Sequence, residues 1–531
     1  MTRKTPALHH TLSSLQLSSP QDVLTHTSTK PSLPSDSKPQ TVVKDEENAD
    51  SSSSAYSQKE ITKDFMEFLQ ANPTVFHTVS AFSSKLSANG FTKLSERKLW
   101  AGKLEKGGKY FVERNGSSLI AFSVGSDYEA GNGLAMIAGH IDALTARLKP
   151  VSKVSPKAGY TQLGVAPYAG GLNGTWWDRD LGIAGRVLVA DKKTGKVEQK
   201  LVKLDWPIAR IPTLAPHFGA AANGPFNRET HMVPITGVDN STMFSASDER
   251  PPSTALGGEG SFTASQPERL VKAICSELSI EDYSTLLSWE LELFDVQAPQ
   301  LGGLDKELLF AGRLDDKICS YAALEALLAQ PSQTSSEEES SGIIKLVALF
   351  DDEEIGSLLR QGARGNFLPS TVERICDAFS DDKAAKDVLG QTYANSFLLS
   401  ADVSHAVNPN FLGAYLENHA PRLNVGLSVS ADPNGHMTTD AVSAAMLNRV
   451  AEKCGCRLQV FQIRNDSRSG GTVGPMLSSA MGVRGIDAGI VQLSMHSIRA
   501  TTGSQDVYLG WKMFRGFLKH FEEVDAAFAS T

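Results

Sequence analysis

Apolar positions recur along this chain with three different periods, and each period predicts a different kind of element. Phe65, Phe68, Leu69, Phe76, Val79 and Phe82 have helical spacing, interrupted at Pro73. That stripe predicts amphipathic helix on both sides of the proline, with order beginning near Thr62. The runs AGRVLVADKK, GKVEQKLVKLDW and WELELFDV alternate apolar and polar residues, as strands with one buried face do. Four further runs, GLAMIAGHIDAL, IIKLVALFDDEEIG, NSFLLSADVSHAV and GIDAGIVQLSMHS, stay apolar until they end in acid or imidazole. Short continuous runs of this kind suit strands covered on both faces, as in an α/β sheet.

Other stretches carry no period. Residues 1–58 are dominated by Ser, Thr, Pro and Lys, with Pro31, Pro34 and Pro39 and a serine run from Ser51 to Ser54. Such a segment buries too little apolar surface to offset its chain entropy, so an extension is expected there. Within it, Leu8, Leu12 and Leu15 have helical spacing and predict a short amphipathic helix that forms on a partner. Segments 245–265 (Gly, Pro and Ser) and 330–342 (polar and acidic) read as surface loops.

Charge narrows the partners. Over 531 residues, 60 Asp+Glu against 51 Lys+Arg leave a net charge of -9, whereas a general nucleic-acid or anionic-membrane surface would be basic. No run approaches the roughly 18 apolar residues of a membrane-spanning helix. The start MTRKTPALHH has no apolar signal-peptide core, so export through a signal peptide is not expected. Five cysteines make no disulfide framework, and Cys454-x-Cys456 has no second pair at zinc-finger spacing. Synthesis in a reducing compartment fits this usage.

The chemistry gathers at strand ends. His140 and Asp142 close one apolar run; Asp351, Asp352, Glu353 and Glu354 close another; Asp402 and His405 a third; His496 the fourth. In an α/β sheet the ligand crevice lies beyond the carboxyl ends of the strands, so these groups converge there. Asp315-Asp316, ahead of the helical pattern Tyr321, Ala322, Leu324 and Leu327, adds carboxylates that could bridge two ions. Carboxylates crowded into a dry crevice repel unless a cation neutralises them, and a mixed oxygen and nitrogen set suits zinc, with cobalt or manganese as alternatives.

The segments GHIDALTARLKP, GLNGTWWDRDLGIAGRV, GRLDDKICS, LFDDEEIGS, SADVSHAVNPN, NGHMTTDAVS, RNDSRSGGTVGP and QLSMHSIR resemble, in order, the motifs of the aspartyl aminopeptidase and aminopeptidase I family of dinuclear zinc exopeptidases. The fungal vacuolar branch is the nearer one. The resemblance implies two zinc ions per subunit, with His140 and Asp402 as ligands of one, Glu354 and His496 of the other, and Asp315 bridging both. It implies that Glu353 is the general base acting on a metal-bridging water and that Asp142 orients His140. It also implies substrate contacts from His405, from Gly470, Gly471 and Thr472, and from a neighbouring subunit's His217. The implied fold is α/β: a zinc-exopeptidase-like catalytic domain with a mixed central sheet (59–148 and 304–531), interrupted by an inserted β-rich oligomerisation domain (149–303). Twelve such subunits would form a tetrahedral dodecamer.

Members selective for amino-terminal Asp or Glu carry a lysine in the strand that resembles GLSVSAD, and the position matched to it here is Ser428. A neutral or hydrophobic preference such as Leu is therefore expected in peptide substrates. The alternatives are an aspartyl aminopeptidase and a non-enzymatic assembly or cargo particle. The vacuolar branch further implies transfer from cytoplasm to vacuole, with a selective-autophagy receptor reading the extension. No nucleic acid and no membrane insertion are expected.

Overall fold

The structure, a computed structural model, describes residues 56–240, 255–331, 340–380 and 385–528. The helix expected around Leu8 to Leu15 and the centres of both expected loops lie outside these residues.

Ten α-helices and twenty strands are described: α1 (Gln58–Ala71), α2 (Val75–Ala88), α3 (Ala220–Asn223), α4 (Glu268–Glu277), α5 (Leu314–Leu328), α6 (Phe367–Phe379), α7 (Ala385–Ala394), α8 (Ala441–Cys454), α9 (Val473–Met481) and α10 (Asp506–Ala526). The first strands are β1 (Thr92–Leu94), β2 (Lys109–Arg114), β3 (Ser118–Val124) and β4 (Leu134–His140). There follow β5 (Thr145–Lys153), β6 (Tyr160–Tyr168), β7 (Leu181–Ala190), β8 (Val197–Ala209), β9 (Ile235–Val238) and β10 (Leu286–Asp295). Then come β11 (Gln300–Gly302), β12 (Leu308–Ala311), β13 (Ile344–Phe350), β14 (Phe397–Ser400) and β15 (Ser404–His405). The last are β16 (Ser428–Ala431), β17 (Gln459–Gln462), β18 (Arg484–Gly489), β19 (Val491–Gln492) and β20 (Ala500–Gly503).

Pro73 does separate two helices. The first starts at Gln58, four residues before Thr62, because Ser57 and Glu60 form a reciprocal capping box that nucleates it.

The main sheet has nine strands in the order β1-β2-β3-β13-β4-β14-β18-β16-β17. Its centre, β13, β4, β14 and β18, is parallel, while β3 and β16 join it antiparallel. The sheet is mixed, as expected. Register sets the parallel strands to end together, with His140 beside Phe350 and Ser400 beside both Ala138 and Asp487. The residues that leave these strands therefore emerge on one edge.

Continuous apolarity in these strands has a direct cause. In β4, Ala135 and Ile137 join the core on one face and Leu134, Met136 and Ala138 the core on the other. In β13, Val347 and Leu349 face the first core and Leu346, Ala348 and Phe350 the second. On the first face Phe397 packs against Phe517 and Phe521 of α10, with ring centroids 5.9 and 6.0 Å away. Burying each such side chain stabilises the fold by about 1.5–3 kcal/mol.

Between β4 and β11 the chain leaves this sheet and builds a second, six-stranded antiparallel one, β8-β7-β10-β5-β6-β9. It covers its own core (Ile183, Val187, Val202, Leu204, Leu291), with α4 contributing Val271 and Ile274. Its alternating strands match their alternating sequence. The run GIDAGIVQL, expected as one strand, breaks at Ile490 into β18 and β19. At Gly489 any Cβ would lie 1.8 Å from the Asp402 carbonyl oxygen, so only glycine lets the two segments pass.

Candidate metal centre

The five expected ligand positions and Glu353 meet beyond the carboxyl edge of the main sheet. His140 ends β4; Glu353 and Glu354 open the turn after β13; Asp402 comes just after β14. Asp315 lies in the first turn of α5, where Asp315 and Asp316 have non-helical backbone and the peptide between them is cis. His496 sits in the loop after β19 with φ 62°, a left-handed conformation uncommon for non-glycine residues and found at functional sites. Asn173 holds that loop by donating to the His496 carbonyl at 2.8 Å, and Thr175 Oγ1 accepts from Ile498 N–H at 3.0 Å.

The donor atoms form two groups, His140 with Glu353 and Asp402, and Asp315 with Glu354 and His496. His140 Nε2 is 3.3 Å from Asp315 Oδ1, 3.5 Å from Asp402 Oδ1 and 3.7 Å from Glu353 Oε2. His496 Nε2 is 3.7 Å from Asp315 Oδ2 and 3.6 Å from Glu354 Oε2. One carboxylate thus turns one oxygen to each group.

These spacings exceed the 2.7–2.9 Å or so of a charge-assisted hydrogen bond. They are close to the separation of about 3.3–3.4 Å that tetrahedral ligands have when each lies about 2.0–2.1 Å from zinc. Electrostatics points the same way. Burial, then Asp315, pushes the Glu354 carboxyl well above its usual range. Burial likewise raises Glu353 to about 8, against the pull of His140. Burial opposes protonation of His140, yet Asp402, Asp142 and Asp315 hold its pKa well above the usual imidazole value. Glu354 Oε1 is buried with no hydrogen-bond partner. Such a set of donors, buried or half-buried except for exposed His496, is completed by cations, and the residues present fit zinc.

Asp142 lies behind the cluster. Its Oδ1 is 3.2 Å from His140 Nδ1 and accepts the Glu353 N–H at 3.2 Å, while Oδ2 accepts the Glu354 N–H at 3.1 Å. Asp316, fully buried, lies 3.4 Å from the His140 N–H through Oδ2.

The weaker candidates divide. His405 is exposed beside the cluster, its ring 5.3 Å from Phe461. Gly470 and Gly471 are exposed on the approach to α9, and Thr472 anchors them through its Oγ1, 3.2 Å from Ser400 Oγ. His217 is exposed in the turn Pro216–Phe218, and no hydrogen bond or ion pair among the described residues joins it to the cluster. Ser428 is fully buried in β16 between β18 and β17, and its hydroxyl has no hydrogen-bond partner among the described residues. The hydroxyl two residues along that strand face, Ser430, is also buried and donates to Ser404 Oγ at 3.3 Å, next to His405.

Sequence reasoning missed Tyr168 and Asn173. Tyr168 ends the second sheet's β6 and Asn173 lies just beyond it, and both reach the cluster across long sequence separations. Asn173 belongs to the motif GLNGTWWDRDLGIAGRV; Tyr168 carried no signal beyond an aromatic at a strand end.

Two adjoining groups of N and O donors sharing one carboxylate, at the carboxyl edge of a mixed α/β sheet, define a dinuclear metallohydrolase type of site. Residues 68–518 match the family of aminopeptidase I zinc metalloproteases (M18), and the chain belongs to that family. It is accordingly a zinc aminopeptidase, a hydrolase.

Vacuolar aminopeptidase 1 of Saccharomyces cerevisiae is 46% identical over 470 residues, 88% of this chain and 89% of that one. Aspartyl aminopeptidase of Aspergillus oryzae is 39% identical over 487 residues, 87% of this chain and 96% of that one. Among solved structures, Chaetomium thermophilum mApe1 has 55% identity and TM-score 0.80, covering 89% of this chain and 100% of its own. The S. cerevisiae mApe1 dodecamer has 41% identity and TM-score 0.78, with 89% and 99% covered. Ape4, solved in complex with Nbr1, has 36% identity and TM-score 0.81, with 88% and 87% covered.

Proposed function

We propose that this aminopeptidase releases neutral or hydrophobic amino-terminal residues, Leu above all, from peptides. Its two metals are held by His140 and Asp402, by Glu354 and His496, and by Asp315 between them. The observation that carries the metal assignment is the division of Asp315, with Oδ1 toward His140 and Oδ2 toward His496. Zinc bound there supplies a polarised carbonyl and a water of lowered pKa. Glu353 takes the proton of the attacking water and returns it to the departing amine. Its position at His140 also suits a ligand, and zinc content after Glu353→Gln separates the two roles. Asp142 keeps the His140 ring turned to the site. His405 and the stretch Gly470 to Thr472 contact the peptide, and His217 serves a neighbouring subunit's site.

Neutral preference is supported by β16, which reads Ser-Val-Ser-Ala, so no register of that strand brings a lysine to the substrate. A substrate carboxylate would lose its water there without gaining a partner. One observation favours the acidic alternative: Arg147, Arg313 and Lys317 line a cavity that also touches Asp315 and His496. These cations are engaged, Arg147 with Glu292 and the others with backbone carbonyls. The deciding measurement is kcat/KM for leucyl against aspartyl anilides on the zinc-loaded protein. Leucyl is expected to lead by tenfold or more, on the order of an unpaired buried charge. An aspartyl lead would overturn the neutral reading.

The second sheet is proposed as the subunit-pairing domain of a dodecamer, in keeping with the S. cerevisiae mApe1 dodecamer. Vacuolar delivery from the cytoplasm by a selective-autophagy receptor is supported by likeness to vacuolar aminopeptidase 1 and by the Ape4 complex with Nbr1. No helix among the described residues is long and apolar enough to cross a membrane.

A further inference from the structure

We propose that Tyr168, supplied by the second sheet, is a positioning residue that sets how tightly the catalytic site holds zinc. The inference rests on reading His140 and Glu354 as ligands, one in each metal group.

The Tyr168 hydroxyl donates to Asp142 Oδ2 at 2.7 Å and lies 3.3 Å from Asp352 Oδ1. Asp142 is buried, and its two oxygens also meet His140 Nδ1 and the N–H groups of Glu353 and Glu354. One carboxylate therefore holds the ring of one metal group and the backbone of the other. Of the donors it gathers, only the Tyr168 hydroxyl comes from outside the main sheet and its turns. It makes the shortest of these contacts.

Tyr168 is itself held firmly. It ends β6, where it pairs with Thr145 of β5. The Arg147 guanidinium lies over its ring, 3.7 Å from the centroid. Arg147 in turn pairs with Glu292 of β10 at 3.7 Å. The hydroxyl thus belongs to a chain of contacts running from the second sheet into the site.

A packing role would need only the ring. The hydroxyl does what phenylalanine cannot: it fixes the rotation of Asp142. A carboxylate that accepts from a ligating imidazole fixes the ring's tautomer and raises its basicity, and loss of such outer partners costs about 10–100-fold in metal affinity or activity. Freed on one side, Asp142 would support both His140 and the Glu353-Glu354 turn less well.

The test is Tyr168→Phe in the full-length chain, with zinc dissociation constants measured by chelator competition and with kcat and KM taken for a leucyl anilide. Zinc affinity is expected to fall about 10–100-fold, with KM within about twofold. The kcat lost at limiting zinc should return at excess zinc, and p-aminophenylalanine at position 168, which keeps an N–H donor, should restore affinity. Affinity within about twofold of wild type would overturn the proposal. A wild-type chain that fails to bind two zinc ions would instead overturn the metal-site reading on which it rests. Should Tyr168→Phe not fold, Arg147→Met tests the same chain of contacts with the hydroxyl retained. Weaker zinc binding at an unchanged metal-free melting temperature supports the proposal, and unchanged binding defeats it.

Discussion

The main sheet and the second sheet come from the same chain but place their polar groups by opposite rules. In the main sheet the parallel strands β13, β4 and β14 are buried on both faces, so acid and imidazole appear only where each strand ends. In the second sheet polar residues alternate along the strands, and Glu290 of β10, for example, is exposed between buried Trp289 and Leu291. The first arrangement concentrates charge at one edge, where burial shifts pKa values and a cation is needed. The second spreads charge over solvent, where each pair contributes little. Tyr168 and Asn173 are the exceptions, polar groups that the second sheet's connection delivers to the first sheet's edge.

The largest expected effect falls on the shared carboxylate. Asp315→Ala should reduce peptidase activity to background and lower zinc content in both groups, because each metal loses a ligand. Asp316→Ala should retain more activity, since Asp316 faces the His140 backbone rather than the donor atoms. Equal losses, read by zinc analysis and anilide turnover, would move the bridge. Next comes Glu353→Gln, which keeps the side chain's size but not its basicity. Turnover should drop about 10²–10⁴-fold, roughly 3–5 kcal/mol of barrier, with zinc retained. A loss below tenfold would place the base elsewhere, and loss of one zinc would make Glu353 a ligand.

How far the sequence disclosed the site is explained by the same contrast. Strand-end residues were legible because double burial makes the apolar run continuous and its polar end abrupt, as at Gly139-His140 and Phe350-Asp351. The bridging geometry of Asp315 was not legible from spacing, since it depends on α5 docking under β4; it came from the family resemblance. The burial of Ser428 was not legible either, because it is set by pairing on both sides, with Gly489 and Gln459, partners 61 and 31 positions away in the chain. Tyr168 was invisible for a related reason: an aromatic in an alternating strand reads as core, and only tertiary packing places its hydroxyl on Asp142.

A matched pair of core truncations separates the sheets. Leu399→Ala in β14 and Leu204→Ala in β8 both empty fully buried sites, and each should cost about 2–5 kcal/mol. Only Leu399 lies close in sequence to a proposed ligand, Asp402, so only that variant should also lose kcat. Equal kcat losses at saturating zinc would show that the two sheets are mechanically one.

The smallest effect expected concerns the seam where α2 meets both sheets. His77 accepts from or donates to Thr74 Oγ1 at 2.8 Å. Burial, then Lys317 of α5, then Lys203 of β8, lower its pKa to about 4. The folded state therefore favours neutral imidazole, whereas the unfolded chain titrates near the usual value of about 6.5. Stability from this group is fully present above that unfolded value and is lost as pH falls through about 4. The gap corresponds to about 3 kcal/mol between pH 7 and 4, or on the order of 3 °C in melting temperature for a chain of this size. His77→Gln carries no titrating group, so its melting temperature should fall less over that interval than the wild type's by about this amount. Parallel pH profiles would mean that His77 stays uncharged without cost, and that the lysines Lys317 and Lys203 do not press on the seam between the sheets.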